Sequence, residues 1–191
     1  MAILHADADI TPTKPELLAA WVPAQPWFVG DATELEHVGA YRFDDPDGEV
    51  GMETHLVRAG GGPILQVPWT YRGAPLDGAE SHLVGTMEHT VLGSRWIYDA
   101  IADPVYQAVL ATTILTGGTH AELEREFADG HVEVMEPSVR VHGSGSASDA
   151  APADVEVLRV LDGTVPEGDD VLTGTWAGVS DPVVLAVVRL R

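Results

Sequence analysis

The chain has 191 residues, 45% of them hydrophobic and 21% charged, so it is long enough and apolar enough to fold around a core. Thirty acidic residues against ten basic ones give a net charge of −20, which excludes nucleic acid and anionic membranes as natural partners. Cysteine is absent, which excludes disulfides, thiolate metal sites and cysteine nucleophiles. The sequence has no signal-like N-terminus and no apolar run near the roughly 20 residues of a membrane span, so we expect a cytoplasmic protein.

Alternating apolar and polar residues predict a series of strands in the first half of the chain. Two segments rich in Gly, Asp and Pro, residues 44–48 and 59–62, predict hairpin turns. The predicted strands cover residues 2–10, 35–43, 49–58, 63–71 and 81–92.

The predicted strand over residues 49–58 has an apolar face and a polar face. The two sets are Val50, Met52 and Leu56 on one side, and Glu49, Glu53 and His55 on the other. We therefore expect one face of the sheet to be packed and the other to be solvated. Pro68, in the next strand, has no N–H for a β-ladder and predicts a sheet edge or a bulge at that point.

Two helices are predicted around this sheet. Thr13 caps a short helix over residues 15–21, which begins with a proline in its first turn. After Gly93 the apolar residues switch to helical spacing, and Pro104 predicts a bend or a fresh helix, which runs to about residue 115.

The rest of the chain predicts a short acidic helix, further strands and one loop. These segments are a helix over residues 121–127, strands over 132–141, 155–161, 171–179 and 183–190, and a flexible loop over 143–154. The segment after the loop is too short for a core of its own, so we expect its strands to complete the first sheet. The prediction is one domain over residues 1–191 with an α+β fold, in which a curved, mostly antiparallel sheet packs on the helix of residues 104–115.

No signature of a large enzyme class occurs in the chain: it has no Walker loop, GxSxG elbow, GxGxxG or HExxH motif. The densest polar stretch, residues 80–90, places Glu80, His82 and Glu88 on one face of a predicted strand, where imidazole and carboxylate can serve as acid and base. An exposed sheet face whose charges pair with neighbours is the other interpretation. His82 and His89 face apart, which argues against a shared metal, and we predict neither a metal nor another cofactor.

Five tryptophans supply the largest side chains. Aromatic faces stack on the apolar sides of sugar rings, so Trp21 and Trp27 are candidates for a sugar-binding platform, with core packing as the alternative. Trp69 and Trp96 have apolar sequence neighbours, which predicts core positions for both.

Several stretches occur in a recognisable order. They are residues 21–30 (WVPAQPWFVG), 43–46 (FDDP), 66–76 (QVPWTYRGAPL), 85–99 (GTMEHTVLGSRWIYD) and 103–106 (DPVY). Together they resemble the N-terminal cap region of actinobacterial maltokinases and related aminosugar kinases, over roughly the first 120 residues. The resemblance implies a cystatin-like antiparallel sheet wrapped against a helix, a layer that supplies no phosphotransfer residues.

The nucleotide lobe and catalytic residues that follow the cap in those kinases have no counterpart in the rest of this chain. The resemblance therefore implies a non-catalytic protein, accessory or regulatory in bacterial maltose, trehalose and α-glucan metabolism, which acts through a protein partner or a small sugar. The alternative is a small enzyme that uses Glu80, His82 and Glu88. Its substrate would be a neutral sugar-like metabolite, because a strongly negative surface repels phosphorylated molecules.

Overall fold

A computed structural model describes residues 2–5, 8–127, 129–146 and 153–190. Within these ranges the α-helices are α1 (Lys14–Trp21) and α2 (Pro104–Thr116). Short 3-10 helices cover Val22–Ala24, Ala32–Glu34, Glu80–His82 and Ala100–Ala102. The strands, in chain order, are β1 (Ala2–His5), β2 (Ile10–Thr11), β3 (Leu35–Phe43), β4 (Gly51–Ala59), β5 (Ile64–Arg72), β6 (Leu83–His89), β7 (Gly93–Asp99), β8 (Leu123–Glu126), β9 (Val132–Met135), β10 (Val139–Gly143), β11 (Ala153–Val157), β12 (Val160–Leu161), β13 (Asp170–Trp176) and β14 (Val179–Leu190).

The main sheet is antiparallel and strongly curled. Its strands lie in the order β2-β6-β7-β5-β4-β3, and the two-residue β12 pairs with β5. Short turns join β3 to β4, β4 to β5 and β6 to β7, so each of these neighbours in sequence is also a neighbour in the sheet. The predicted α+β fold with a curved, mostly antiparallel sheet is confirmed.

Both faces of the main sheet are covered. Met52 and Leu56 of β4 pack in one apolar cluster with side chains of α2, whereas Val57 and Ala59 pack in a second cluster with α1. The expectation of a solvated face is therefore wrong at β4, where the polar side chains of Glu53 and His55 are buried as well. The physical reason is that α1 and the residues after it lie over that face.

The start of α1 is fixed by a capping box. Thr13 Oγ1 accepts a hydrogen bond from the Glu16 N–H at 3.4 Å, and Glu16 Oε2 accepts one from the Thr13 N–H at 2.7 Å. The cap confirms the helix predicted from Thr13. Leu17 and Leu18 of the helix are buried. This local geometry sets the position of Lys14, the first residue of the helix and the only lysine of the sequence.

The C-terminal strands form a second sheet instead of completing the first. Its order is β10-β13-β14-β11, and all three pairings are antiparallel. β12 is the C-terminal strand that pairs with the main sheet among the described residues. The buried Gln66 connects the two layers, since its Nε2 donates to the carbonyls of Leu158 at 2.9 Å and Leu185 at 2.8 Å. The side chains of both sheets and α2 share one apolar cluster.

Several predicted elements differ from the structure. The predicted strands over 132–141 and 155–161 are each divided into two strands, β9 and β10, and β11 and β12. The strand predicted over residues 2–10 is interrupted; residues 6 and 7 lie outside the described residues, and β1 pairs in parallel with β8 in a three-stranded sheet with β9. The predicted acidic helix over 121–127 contains strand β8. The residues after Gly93, which have helical spacing, form strand β7. The predicted strand over 81–92 is shorter in the structure, because its first residues form a 3-10 turn. Pairing with β1 overrides the local helical pattern at β8, and pairing with β5 and β6 overrides it at β7.

The predicted helix start at Pro104 is correct. Asp103 caps α2 by accepting a hydrogen bond from the Val105 N–H at 3.0 Å. Its carboxylate also accepts two hydrogen bonds of 2.7 Å from Arg72 of β5, so the start of the helix is tied to the main sheet. Gly117 ends the helix in the left-handed conformation.

Pro68 lies where one flank of β5 changes its partner. On that flank the N–H of Gln66 donates to the Arg159 carbonyl at 2.8 Å, and residues 69–72 pair with β7. Backbone groups of an antiparallel strand alternate between its two sides, so the nitrogen of Pro68 faces the gap between these two partners. The ladder to β4 continues through Pro68 without a register shift. The residue therefore occupies a local edge, one of the two expected outcomes.

Gly143 provides a test of the contact between the second sheet and α2. A Cβ atom at this position would lie 2.2 Å from the Thr113 carbonyl oxygen and 2.7 Å from Ile114 Cα. Because both are backbone atoms of the helix, Gly143→Ala is expected to lower the free energy of unfolding by about 2 kcal/mol. Urea unfolding followed by circular dichroism measures it. Gly61→Ala is the control, since a Cβ at Gly61 has no atom within 4 Å; equal stabilities of the two variants would contradict the close contact.

Two further sequence predictions concern the loop over residues 143–154 and the lack of a membrane span. Residues 147–152 of the loop predicted over 143–154 lie outside the described residues, so its flexibility stays a prediction. Among the helices described above, none has the length and apolar character needed to cross a membrane.

Candidate functional site

A pocket of about 510 Å³ opens at the end of the main sheet, beside the turn that joins β3 to β4. Its lining combines apolar and charged side chains. The apolar ones are Ile10, Phe43, Val50, Met52, Met87 and Leu92, and the charged ones are Lys14, Arg42, Arg95, Asp44, Asp45 and Glu49. Three of the ten basic residues of a chain with a net charge of −20 thus meet in one pocket.

Three residues of the lining converge on one buried carboxylate. Glu53 Oε2 accepts hydrogen bonds from Lys14 Nζ at 2.5 Å, Tyr71 Oη at 3.0 Å and Arg42 Nη2 at 3.3 Å. Arg42 and Glu53 are directly opposite each other on β3 and β4, which explains their contact. We call Lys14, Arg42, Glu53, His55 and Tyr71 the Glu53 cluster. Its carboxylate holds two cations and a phenol in place at the pocket wall.

The charges of the Glu53 cluster stabilise each other against the cost of burial. Burial raises the pKa of the Glu53 carboxyl, but Arg42, His55 and Lys14 lower it by more, so this pKa lies well below its ordinary value. Burial lowers the pKa of Lys14, and the neighbouring Glu53 opposes that effect. Burial, together with the negative charge of Glu53, raises the pKa of the Tyr71 phenol well above its usual value. Tyr71 is therefore a neutral hydrogen-bond donor, not a base.

The cluster continues away from the pocket through His55. The His55 Nε2 atom lies 3.3 Å from Tyr71 Oη and 3.7 Å from Glu53 Oε2, and its Nδ1 atom lies 3.3 Å from His37 Nε2. The ring of Trp69 packs edge-on against His55 with 5.0 Å between centroids. Burial lowers the pKa of His55 to about 4, although Glu53 opposes this effect. Near pH 7 the imidazole is thus neutral and acts through hydrogen bonds.

The charged groups of the lining differ in how many of their hydrogen-bond donors and acceptors already have a partner within the protein. Both oxygens of Asp45 accept backbone hydrogen bonds within the turn, from the N–H groups of Asp47, Glu49 and Val50 at 2.9–3.1 Å. In contrast, the half-buried guanidinium of Arg95 forms no hydrogen bond or ion pair with any residue that the structure describes. The buried Nε of Arg42 has no hydrogen-bond acceptor either within that part of the chain. The pocket therefore presents the unused donors of Arg95, whereas the Nε of Arg42 is buried in its wall.

The structure does not bring Glu80, His82 and Glu88 together. Glu80 and His82 lie in a 3-10 turn before β6, so they do not follow the strand alternation that the prediction assumed. Glu88 lies near the far end of β6, about 20 Å along the strand from His82 at roughly 3.3 Å per residue. Its two carboxylate oxygens accept hydrogen bonds from Ser94 Oγ at 2.8 and 2.9 Å. A metal site is not formed either, since no three His, Asp or Glu side chains of the described ranges are grouped to hold an ion.

The candidate platform residues Trp21, the last residue of α1, and Trp27 pack against each other. Their ring centroids lie 5.9 Å apart, and Trp21 also contacts Trp69 edge-on at 6.5 Å. The guanidinium of Arg159 lies 5.1 Å from the ring centre of Trp27, so one face of this ring is already covered. Neither residue lines the pocket. Of the two predicted core tryptophans, Trp69 is fully buried, whereas Trp96 is only half-buried.

Sequence reasoning did not identify the residues of the pocket and the Glu53 cluster. The strand alternation predicts a solvated face for Glu53 and His55, and it indicates no functional role for Arg42, Tyr71 or Arg95. One signal was present in the sequence: the single lysine immediately follows the cap residue of a predicted helix, where its position is well defined. The contacts themselves join β3, β4, β5 and α1, so local patterns do not reveal them.

Comparison with known proteins agrees with the resemblance seen in the sequence. Residues 21–103 match the family model of the maltokinase N-terminal cap domain. The match begins at the last residue of α1 and ends at the residue that caps α2, so it contains β3 to β7 of the main sheet. It covers less than half of the chain, and less than the roughly 120 residues of the resemblance. No curated protein matches the chain.

Proposed function

We propose that this cap-like protein is a non-catalytic accessory or regulatory protein of bacterial maltose, trehalose or α-glucan metabolism, and that it binds a small sugar in the pocket at the end of the main sheet. The observation that carries the proposal is the pocket itself. Most of its lining, from Arg42 to Met52 and from Tyr71 to Arg95, comes from the residues that match the cap domain. The cytoplasm, where these sugars are metabolised, is its proposed location.

The lining suits a sugar because it offers both kinds of surface that a sugar needs. Apolar side chains such as Met52, Met87 and Leu92 fit the C–H faces of a ring, and the charged groups of Arg95 and Glu49 fit its hydroxyls. A volume of about 510 Å³ lies within the usual range of roughly 300–1,000 Å³ for small-molecule sites.

The chemistry of the Glu53 cluster supports binding better than catalysis. A general base needs a carboxylate or imidazole that can take up a proton from the substrate. The Glu53 carboxylate is occupied by Lys14, Arg42 and Tyr71, and it does not line the pocket. The separated positions of Glu80, His82 and Glu88 give the alternative enzyme no support. Binding of the sugar would then change how the protein associates with a partner enzyme, which is the regulatory part of the proposal.

Sugar binding is tested by measuring the melting temperature of the purified protein with maltose, trehalose, glucosamine and maltose 1-phosphate. We expect at least one of them to raise it in a saturable manner, because a ligand present at 100 times its Kd stabilises the folded state by about 2.7 kcal/mol.

Leu92→Trp fills part of the pocket and should remove this shift. Val165→Trp is the matched control, because Val165 is 46% exposed, like Leu92 at 45%, and does not line the pocket. If none of the four sugars changes the melting temperature, the proposed function is wrong.

A further inference from the structure

We infer that the ligand of this pocket carries an oxyanion, a carboxylate or a phosphate, and that Arg95 binds it together with Lys14 and Arg42. The inference rests on the proposed function and adds the chemical class of the sugar. It reverses the expectation from composition alone, by which a chain with a net charge of −20 favours a neutral ligand.

The first argument is the number of unused donors. A lysine ammonium has three N–H donors and an arginine guanidinium has five. In the described part of the chain, Lys14 and Arg42 each donate one hydrogen bond to Glu53, and Arg95 donates none through its side chain. Lys14, Arg42 and Arg95 thus line the pocket beside Asp44, Asp45 and Glu49, and Glu53 accepts one hydrogen bond from each of the first two, whereas the side-chain donors of Arg95 are all unused among the described residues. A ligand rich in acceptors, above all an oxyanion, satisfies them best.

The acidic residues of the lining leave this preference in place. Asp45 has both oxygens saturated by backbone N–H groups of the turn, and Asp44 has an interaction partner of its own. Glu49 is exposed at the rim. An oxyanion held at the Arg95 side of the pocket can therefore accept hydrogen bonds from this guanidinium, while the hydroxyls of the same ligand can donate to Glu49.

The global charge is the weaker effect at this range. At physiological ionic strength, charges in water that lie more than about 8 Å apart are largely screened. The charge of −20 is spread along the whole sequence, whereas hydrogen bonds to Arg95 and Lys14 act at about 3 Å. The net charge therefore slows the approach of an anion more than it weakens the bound state.

The guanidinium of Arg95 lies close to Gly73. A Cβ atom at Gly73 would lie 2.8 Å from Arg95 Nη1, so an alanine there would displace the end of this flexible side chain. Gly73→Ala thus moves the group without removing its charge. This variant separates a positioned cation from a cation that acts only through its net charge.

The experiment is calorimetric titration with four probes: maltose, maltose 1-phosphate, maltobionate and inorganic phosphate. We expect the phosphate or the carboxylate derivative to bind at least tenfold more tightly than maltose, and the comparison of the two identifies the oxyanion. Arg95→Gln should weaken that binding about tenfold, and by a larger factor than it weakens the binding of maltose, with Gly73→Ala intermediate. Arg140→Gln is the control, because Arg140 is an exposed residue outside the pocket. The melting temperature of each variant verifies that it is folded.

The outcomes separate the inference from the proposed function. Equal binding of maltose and its two anionic derivatives, with no effect of Arg95→Gln, overturns the inference and leaves sugar binding intact. Binding of inorganic phosphate in an Arg95-dependent manner, with no binding of any sugar, supports the oxyanion site and contradicts the proposed function. If none of the four probes binds, the inference is wrong, and the proposed function then depends on the melting temperatures measured with trehalose and glucosamine.

Discussion

Replacing Glu53 with alanine is expected to lower the free energy of unfolding by about 3–5 kcal/mol. The substitution removes the acceptor that Lys14 and Arg42 share, and both cations are largely buried, with side-chain exposures of 23% and 17%. Uncompensated charge in such surroundings costs several kcal/mol, which is more than the net value of an intact pair. Against a typical stability of about 5–15 kcal/mol, this is a large share.

Urea unfolding at pH 7, followed by tryptophan fluorescence, measures this loss. Glu136→Ala is the matched control, since Glu136 forms an ion pair with Arg140 at 2.6 Å but both side chains are more than 60% exposed. An exposed pair is worth at most about 1 kcal/mol, so this variant should unfold close to the wild type. Glu53→Gln, which keeps an acceptor for the Tyr71 hydroxyl, should fall between the two. A loss below about 1 kcal/mol for Glu53→Ala would show that the two cations find other partners.

The elements that the sequence predicts well are those whose signals are local. Thr13 and Glu16 form a capping box within four residues, and Asp103 followed by Pro104 starts α2 at the expected place. The hairpin turns at residues 44–48 and 59–62 bound β3, β4 and β5 within two residues of their predicted ends, because glycine and aspartate favour turns through their own backbone preferences.

The errors occur where a distant segment decides the outcome. Residues 121–127 have a helical acidic pattern, but β8 pairs with β1 and β9. The last third of the chain has clear strand alternation, which does not reveal whether those strands extend the first sheet or form their own. In the structure they form their own sheet, which shares one apolar cluster with α2 and the first sheet, and β12 pairs with the first sheet.

The pocket and the Glu53 cluster were beyond prediction for a related reason. Strand alternation states which side chains share a face, and it placed Glu53 and His55 on the same side correctly. It does not state what covers that face. Here the cover is α1, which adds a lysine to the face, and the neighbouring strands add Arg42 and Tyr71. A polar strand face read as solvated thus becomes a buried ion-pair network once an element from elsewhere packs on it.

A last expected result concerns the pH dependence of stability, and it follows from His55. Burial holds the pKa of this imidazole at about 4 in the folded protein, below the value of about 6.5 expected for the unfolded chain. Between these two values the unfolded state binds a proton and the folded state does not, so stability falls as the pH falls through this range. The free energy of unfolding should decrease by about 2 kcal/mol between pH 7 and pH 5 because of this one group.

Urea unfolding of the wild type and of His55→Gln at pH 7 and pH 5 tests this expectation. The compared quantity is the change in the free energy of unfolding between the two pH values, because a general loss of stability in the variant lowers both values equally. His55→Gln should lose most of the dependence, whereas His131→Gln, which alters an exposed histidine with a side-chain exposure of 60%, should keep it.

The half-buried His37 has its pKa lowered by burial in the same direction, so a residual slope in His55→Gln is expected and should disappear in the double variant. Glu53 does not contribute in this window, because its pKa lies well below the ordinary value and the stability that it provides is lost only at more acidic pH. An unchanged slope in His55→Gln would mean that the imidazole is already protonated at pH 7 and pairs with Glu53 as a cation, in which case the cluster would hold three positive charges around one carboxylate.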